Sequence, residues 1–214
     1  MGKNIKGLVL ITGTTSGVGL NTLKPLLRIG WKVIAVNRSN KRAKVKAQQS
    51  LTDSEMKNIH FIEVDLSDLD DVRAGCSEIL KNFKNPINSI ICNAAVYKPR
   101  LRKPERSPQG FENSMAVNHF GHFLLISLLL ENILSSEREI DLNGTTTKFK
   151  PRITILGTVT ANFLELGGRI PIPAPADLGD LSGFKNGFLS QLVWQMEKNL
   201  NLEKLIKIVN FAIW

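Results

Sequence analysis

The sequence predicts an α/β fold: a doubly wound parallel sheet in the strand order 3-2-1-4-5. Strand-like and helix-like segments alternate along most of the 214 residues. That alternation calls for parallel strands, right-handed crossovers and helices on both faces. The strand segments are nearly continuous apolar runs, as expected where both faces are covered. A glycine-rich turn joins the first strand to the first helix, a place where such folds bind dinucleotides.

Each element has a local reason. Gly7–Thr12 is a short, β-branched apolar run and reads as the first strand. "GVGLNTLKPLLRIG" has helical spacing and stops at Gly30, a natural C-cap, with Pro25 as an irregularity inside it. Trp31–Arg38 is the second strand, and "SNKRAKVKAQQ" an exposed, Lys-rich helix. Ile59–Leu66 is the third strand. Ser67, with Asp70 three residues on, reads as the cap of a helix running to about Phe83. Ile87–Val96 is the fourth strand. A Pro- and Arg-rich loop then leads to a long helix from about Phe111 to Ser136. Arg152–Thr160 is the fifth strand, and "GGRIPIPAPADLGDL" carries too much Pro and Gly for a regular element.

Composition bounds the function. The length suits one domain, and the 43% hydrophobic and 22% charged content is ordinary for a globular chain. No run approaches the roughly 18 apolar residues of a membrane span, and His122–Leu130 reads as a buried helix face. The N-terminal segment runs straight into the glycine turn, so it reads as a strand rather than a signal peptide. Two cysteines without paired spacing, Cys76 and Cys92, suit a reducing, cytoplasmic setting and give no zinc or disulfide frame. The net charge of +9 is dispersed, which suits a solvated basic surface or a preference for anions. No motif points to nucleic acid.

"TGTTSGVG", Thr12–Gly19, carries the first chemical signal. Gly13, Gly17 and Gly19 let the backbone turn tightly and approach a pyrophosphate. The following helix offers its free N–H groups and positive dipole end. Thr15, Ser16 and Val18 complete the turn. The second strand ends in "VNRSNKR", with Arg38, Lys41 and Arg42 and no acid to bind a ribose 2′-OH. Cations there favour the 2′-phosphate of NADPH over NADH. His119 and His122 stand three apart on one helix, but no carboxylate or Cys partner accompanies them, so packing or pocket-lining roles are expected and no metal site.

The turn, Asp65-Leu66 and "CNAAV" at Cys92–Val96 together resemble the short-chain dehydrogenase/reductase family. Two further stretches sharpen the match. "ICNAAVYKPRLRKPERSPQGFENSMAVNHFGHFLL" and "ILGTVTAN…LGGRIPIPAPADLGDLSGFKNGF" resemble the light-dependent protochlorophyllide oxidoreductase branch, over residues 7 to about 190. The resemblance implies a Rossmann-like domain over 1–190 that binds NADPH and a protochlorophyllide pigment, with peripheral contact to a photosynthetic membrane. It places Asp65 and Leu66 near the adenine, and Asn93, Ala94 and Ala95 along the cofactor cleft. It gives Asn118 and Thr158 active-site roles and puts Tyr97 near the pigment. Without it, Asn118 reads as satisfying backbone groups and Thr158 as an ordinary strand-end residue. A generic short-chain reductase and a non-catalytic nucleotide-binding remnant remain the alternatives.

The family's Tyr-x-x-x-Lys proton relay is missing; the single tyrosine, Tyr97, lies before the long helix. The tail accounts for this. Permissible codons for the last twelve residues, "EKLIKIVNFAIW", read from the third base, spell Lys-Ala-Tyr-Lys-Asp-Ser-Lys-Leu-Cys-Asn-Leu, the family segment. The absent Tyr straddles the codons of Leu205 and Ile206, and the absent Lys those of Val209 and Asn210. Residues 191–214 therefore read as a frameshifted tail, displaced by one base after Ser190, the alternative being a natural divergent amphipathic helix. With the family's later strands replaced, the fifth strand is expected to be an open sheet edge.

Overall fold

A computed structural model of the chain describes residues 7–98, 104–142, 145–157 and 209–212. Strand β1, Leu8–Thr12, runs at the centre of the main sheet and is fully buried. It pairs in parallel with β2, Lys32–Asn37, and with β4, Ser89–Cys92. Strand β3, Ile59–Glu63, lies outside β2. The fifth parallel strand pairs with β4 and spans Arg152–Leu156. The order 3-2-1-4-5 of the sequence reading is the order observed.

The main-sheet helices between these strands close the two faces. Helix α1 is Gly17–Arg28, α2 Asn40–Gln48, α3 Asp53–Met56 and α4 Leu69–Asn82. One core lies between the sheet and α1 and includes Val9, Ile11, Leu23 and Val33. The larger core lies on the opposite face and includes Leu10, Ile34, Ile90, Ile79, Leu129 and Ile133. Strand residues of β1 alternate between the two, which is why the whole run had to be apolar.

Helix α1 ends as its glycine requires. Gly30 has φ +85°; its N–H donates to Leu27 O, and that of Trp31 to Leu26 O. The two bonds satisfy carbonyls left over at the helix end. The cap of α4 differs from expectation. Asp68 is the N-cap and accepts from the Asp70 N–H, while Ser67 donates its hydroxyl and N–H to Asp65 Oδ1. A carboxylate two residues from the free N–H outcompetes the hydroxyl.

The long helix runs through α5, Asn113–Met115, a π-helical turn at Ala116–Gly121, and α6, His122–Leu134. It is apolar enough to pass as a membrane span. Val117, Leu125, Ile126, Leu129 and Ile133 nevertheless sit in the larger core, so this is a core helix of the sheet. Gly121 lets it approach β3's end: a Cβ there would fall 2.3 Å from Leu66 O.

Two features depart from the sequence reading. The first is a hairpin of β5, Arg138–Leu142, and β6, Thr145–Phe149, which makes the fifth main-sheet strand β7. The second is at the edge. Val209–Ala212, strand β8, pairs in parallel with β7, Ile153 opposite Val209 and Leu156 opposite Ala212. The expectation of an open edge at the fifth strand is therefore overturned. The physical reason is generic: an edge presents unpaired N–H and C=O groups, and an apolar, β-prone run such as "IVNFAIW" can satisfy them whatever its ancestry.

The close approach at Gly121 is testable by urea unfolding. Gly121→Ala is expected to lower stability by about 1–3 kcal/mol through overpacking. Gly157→Ala, whose Cβ would meet nothing within 4 Å, should change it little. Equal effects would contradict the packing described.

Candidate functional site

The C-terminal ends of β1, β2, β3 and β4 open onto one cleft of about 370 Å³. Parallel sheets place ligands at this end, where the strand order reverses direction on either side of β1. Eleven residues singled out from the sequence line it together: Gly13, Thr15, Ser16, Val18, Arg38, Arg42, Asp65, Leu66, Asn93, Ala94 and Ala95. Val36, Asn37, Ser39, Val64, Val96 and Val117 complete the wall.

The glycine turn is shaped from three sides. Gly13 has φ +73°, and a Cβ there would sit 2.8 Å from Ala94 Cα, so the turn lies directly on β4's continuation. Gly19 packs as closely: its Cβ would be 2.2 Å from Gly13 O and 2.4 Å from Asn93 Nδ2. Gly17 differs. It needs its glycine for φ +56°, yet the space beside it is open. Gly13 and Gly19 thus serve internal packing, whereas Gly17 leaves the start of α1 uncovered. Ser16, the N-cap, makes no side-chain capping bond, and the first turn holds no acid. The helix end keeps N–H groups and positive dipole potential for an anion.

Asn37 fixes the turn from β2. Its Oδ1 accepts the Thr14 N–H at 2.7 Å, and its Nδ2 donates to Thr14 Oγ1 at 2.9 Å, both residues being buried. Asn93 fixes it from β4, Nδ2 donating to Thr12 O and Gly13 O at 2.9 Å each. The fourth strand stops at Cys92 rather than at Val96 because the next two N–H groups leave the ladder. Those of Asn93 and Ala94 donate to Thr12 Oγ1, at 3.0 and 2.9 Å.

Arg38 and Arg42 are exposed on the rim at the α2 end, with the Arg42 N–H held by Ser39 Oγ. Asp65 is half-buried, its carboxylate engaged by Ser67 and its own N–H donated to Asp71 Oδ2 at 2.6 Å. Asn118 sits in the π-helical turn and clasps Val96 with both ends of its amide: Oδ1 accepts the Val96 N–H at 2.7 Å and Nδ2 donates to Val96 O at 3.0 Å. Tyr97 is 71% exposed and does not line the cleft. Thr158 lies outside the described residues, as does the second pigment-like stretch from there on.

The histidines have separate surroundings. His119 lies in tilted ring contact with Phe120 and Phe123. His122 is buried, with Nε2 2.8 Å from Thr12 Oγ1 and Nδ1 3.4 Å from Asn118 O. Burial pushes its pKa down to about 4, helped slightly by His119. Both cysteines are buried and free, and burial pushes Cys92 up to about 12 and Cys76 to about 11, so neither is a reactive thiolate. Sequence reasoning missed Asn37, quoted Thr12 only as the start of the glycine turn, and expected of His122 a packing or pocket-lining role, of which the structure shows the packing. Asn37 had a signal: a polar residue ending a strand buried on both faces must find partners inside.

The arrangement suits an elongated phosphorylated ligand, with cations at one end and bare helix N–H groups at the middle. A family model described as short chain dehydrogenase matches residues 7–139. Among curated relatives, "Protochlorophyllide reductase, chloroplastic" of Cucumis sativus is 39% identical over 186 residues. The match covers 85% of this chain and 42% of that protein. The Chlamydomonas reinhardtii protein of the same name is 37% identical over 188 residues, again 85% and 42%. The chain thus spans less than half the length of these relatives. Among solved structures, the 3-ketoacyl-(acyl-carrier-protein) reductase of Brucella melitensis complexed with NADH aligns with TM-score 0.54 at 23% identity. It covers 73% of this chain and 59% of that one, and the likeness is one of fold.

The buried His122 gives a pH signature. An unfolded ring titrates near 6.5 and the folded ring near 4. Between those values the unfolded chain binds the extra proton. The ring's contribution is therefore whole above about pH 6.5 and lost as pH falls towards 4, on the order of 3 kcal/mol in full. Urea midpoints measured from pH 7 to 4.5 should fall more steeply for the parent than for His122→Gln. Parallel curves would contradict the burial of a neutral ring.

Proposed function

The chain belongs to the short chain dehydrogenase family, and from that premise we propose that it is, by descent, an NADPH- and light-dependent protochlorophyllide reductase. The observation that carries this is its 36–39% identity, over 85% of its length, to relatives named protochlorophyllide reductase. The cleft supports the cofactor half of the reading. NADPH would supply a hydride to one carbon of a ring double bond in the photoexcited pigment and a proton would reach the neighbouring carbon, the pigment itself providing the photochemistry.

The residues present fit such a cofactor. The uncapped start of α1, opened by Gly17, suits the pyrophosphate. Arg38 and Arg42 suit the 2′-phosphate, where a ribose-binding acid would otherwise stand. Asp65 and Leu66 would flank the adenine, and Asn93, Ala94 and Ala95 would line the inner wall. Asn118, through Val96, would hold the geometry of that wall; Thr158 and Tyr97 would act on the pigment side. The setting is proposed as reducing and aqueous, cytoplasmic and peripheral to a photosynthetic membrane; "chloroplastic" belongs to the names of the plant and algal relatives.

The reading treats 1–190 as the nucleotide-binding unit and 191–214 as displaced by one base. The only Tyr in the sequence is Tyr97, and no Tyr-x-x-x-Lys exists. A positioned acid–base group contributes on the order of 10²–10⁴ in rate, and a ribose anchor keeps the hydride aligned.

Two outcomes test this. Calorimetric titration of the chain should show tighter binding of NADPH than of NADH, and Arg38→Asp should erase or reverse the preference; equal affinities in the parent would sink it. Under illumination with protochlorophyllide and NADPH, the 214-residue chain should show no appreciable reduction. A chain read in the shifted frame after Ser190 and continued to full length should regain it, and resequencing around Ser190 should reveal the lost base. Robust turnover by the 214-residue chain would prove the relay dispensable. Turnover without any affinity for protochlorophyllide would favour a reductase of another substrate.

A further inference from the structure

The floor of the cleft rests on a hydroxyl whose three hydrogen-bonding positions are all used. Thr12 Oγ1 has one hydrogen and two lone pairs. It is fully buried. Its lone pairs receive the N–H groups of Asn93, at 3.0 Å, and Ala94, at 2.9 Å. Its hydrogen must therefore go to the third neighbour, His122 Nε2, at 2.8 Å. A nitrogen that accepts carries no proton. The proton of a neutral ring then resides on Nδ1, which faces Asn118 O at 3.4 Å. The deep burial of the ring, which disfavours its charged form, agrees with this state.

We infer that His122 is a positioning residue of the nucleotide cleft: as a neutral Nδ1–H imidazole it orients the Thr12 hydroxyl, which in turn holds the Asn93 and Ala94 backbone as the cleft floor. The inference rests on the cofactor reading for its consequence, though not for its geometry. The same ring reaches the Asn118 carbonyl, and Asn118 clasps Val96, so β1, the segment after β4 and the π-helical turn are set against one another through the His122 and Asn118 side chains. Replacing the ring with an apolar group leaves the hydroxyl free to rotate. Its hydrogen then competes with the two N–H groups for the same space, and the floor loosens.

Three measurements on the full 214-residue chain test it. Nitrogen-15 spectra of the histidine rings at pH 7 should show His122 with an unprotonated Nε2 and a protonated Nδ1. The reverse tautomer, or a charged ring, would overturn the inference even if every variant failed to fold. Amide exchange in His122→Leu should quicken at Asn93 and Ala94 by about tenfold, the scale of one hydrogen bond, while amides of the β2–β3 ladder keep the parent's protection. Uniform acceleration would mean a general structural role and would overturn the positioning claim, as would no acceleration. His122→Gln, whose side-chain oxygen can accept from Thr12, should restore protection in part. Finally, NADPH should bind His122→Leu about tenfold more weakly than it binds the parent. An unchanged dissociation constant in folded His122→Leu would overturn the inference. Absence of NADPH binding in the parent would instead remove the cofactor reading and leave the tautomer and exchange results to decide the geometry.

Discussion

The cleft depends on one buried hydroxyl. Thr12 ends the central strand, and its Oγ1 gathers the first two N–H groups that β4 releases as it leaves the sheet. A buried N–H without a partner costs about 1–3 kcal/mol, so β4 can end at Cys92 only because this acceptor is there. Ending it there is what turns Asn93 towards the glycine turn and Ala94 beneath Gly13. The glycines follow from that contact: at 2.8 Å from Ala94 Cα there is no room for a side chain at position 13. Backbone closeness, rather than backbone freedom alone, fixes Gly13 and Gly19, and conformation fixes Gly17.

Electrostatics divides the cleft along its length. The start of α1 is bare of acids and of a capping side chain. The α2 end carries Arg38 and Arg42, exposed and therefore inexpensive to keep charged. Asp65, the acid on the wall, has its carboxylate turned to Ser67. An anionic ligand thus meets positive potential along its phosphates and no opposing free carboxylate among the described lining residues. The dispersed net charge of +9 adds a long-range bias in the same direction, one that salt screens.

The sheet order and the place of the cleft were legible because both rest on periodicity and on a short motif. Apolar runs such as "GLVLIT" cannot be covered on one side only, and "TGTTSGVG" after such a run fixes where β1 hands over to α1. The hairpin at 138–149 was missed, although Asn143-Gly144 stands between its strands as a hairpin-turn dipeptide. The cap of α4 was placed one residue early because Ser67 and Asp68 both qualify, and only the fold shows Ser67 committed to Asp65. β8 was not legible. Its pairing depends on an edge made available by the rest of the sheet, a tertiary circumstance that no local pattern encodes. The roles of Asn37, Thr12 and His122 arise from contacts 23 to 110 residues apart in sequence, beyond the reach of spacing arguments.

The most direct test of the account is to follow the backbone amide resonances of the chain during titration with NADPH. If the cleft is the cofactor site, the amides of Gly13–Gly19, Asn93–Val96 and the Arg38–Arg42 rim should shift together and saturate with one dissociation constant, while those of the β5–β6 hairpin stay still. Shifts confined to exposed lysines, or none at the glycine turn, would contradict it.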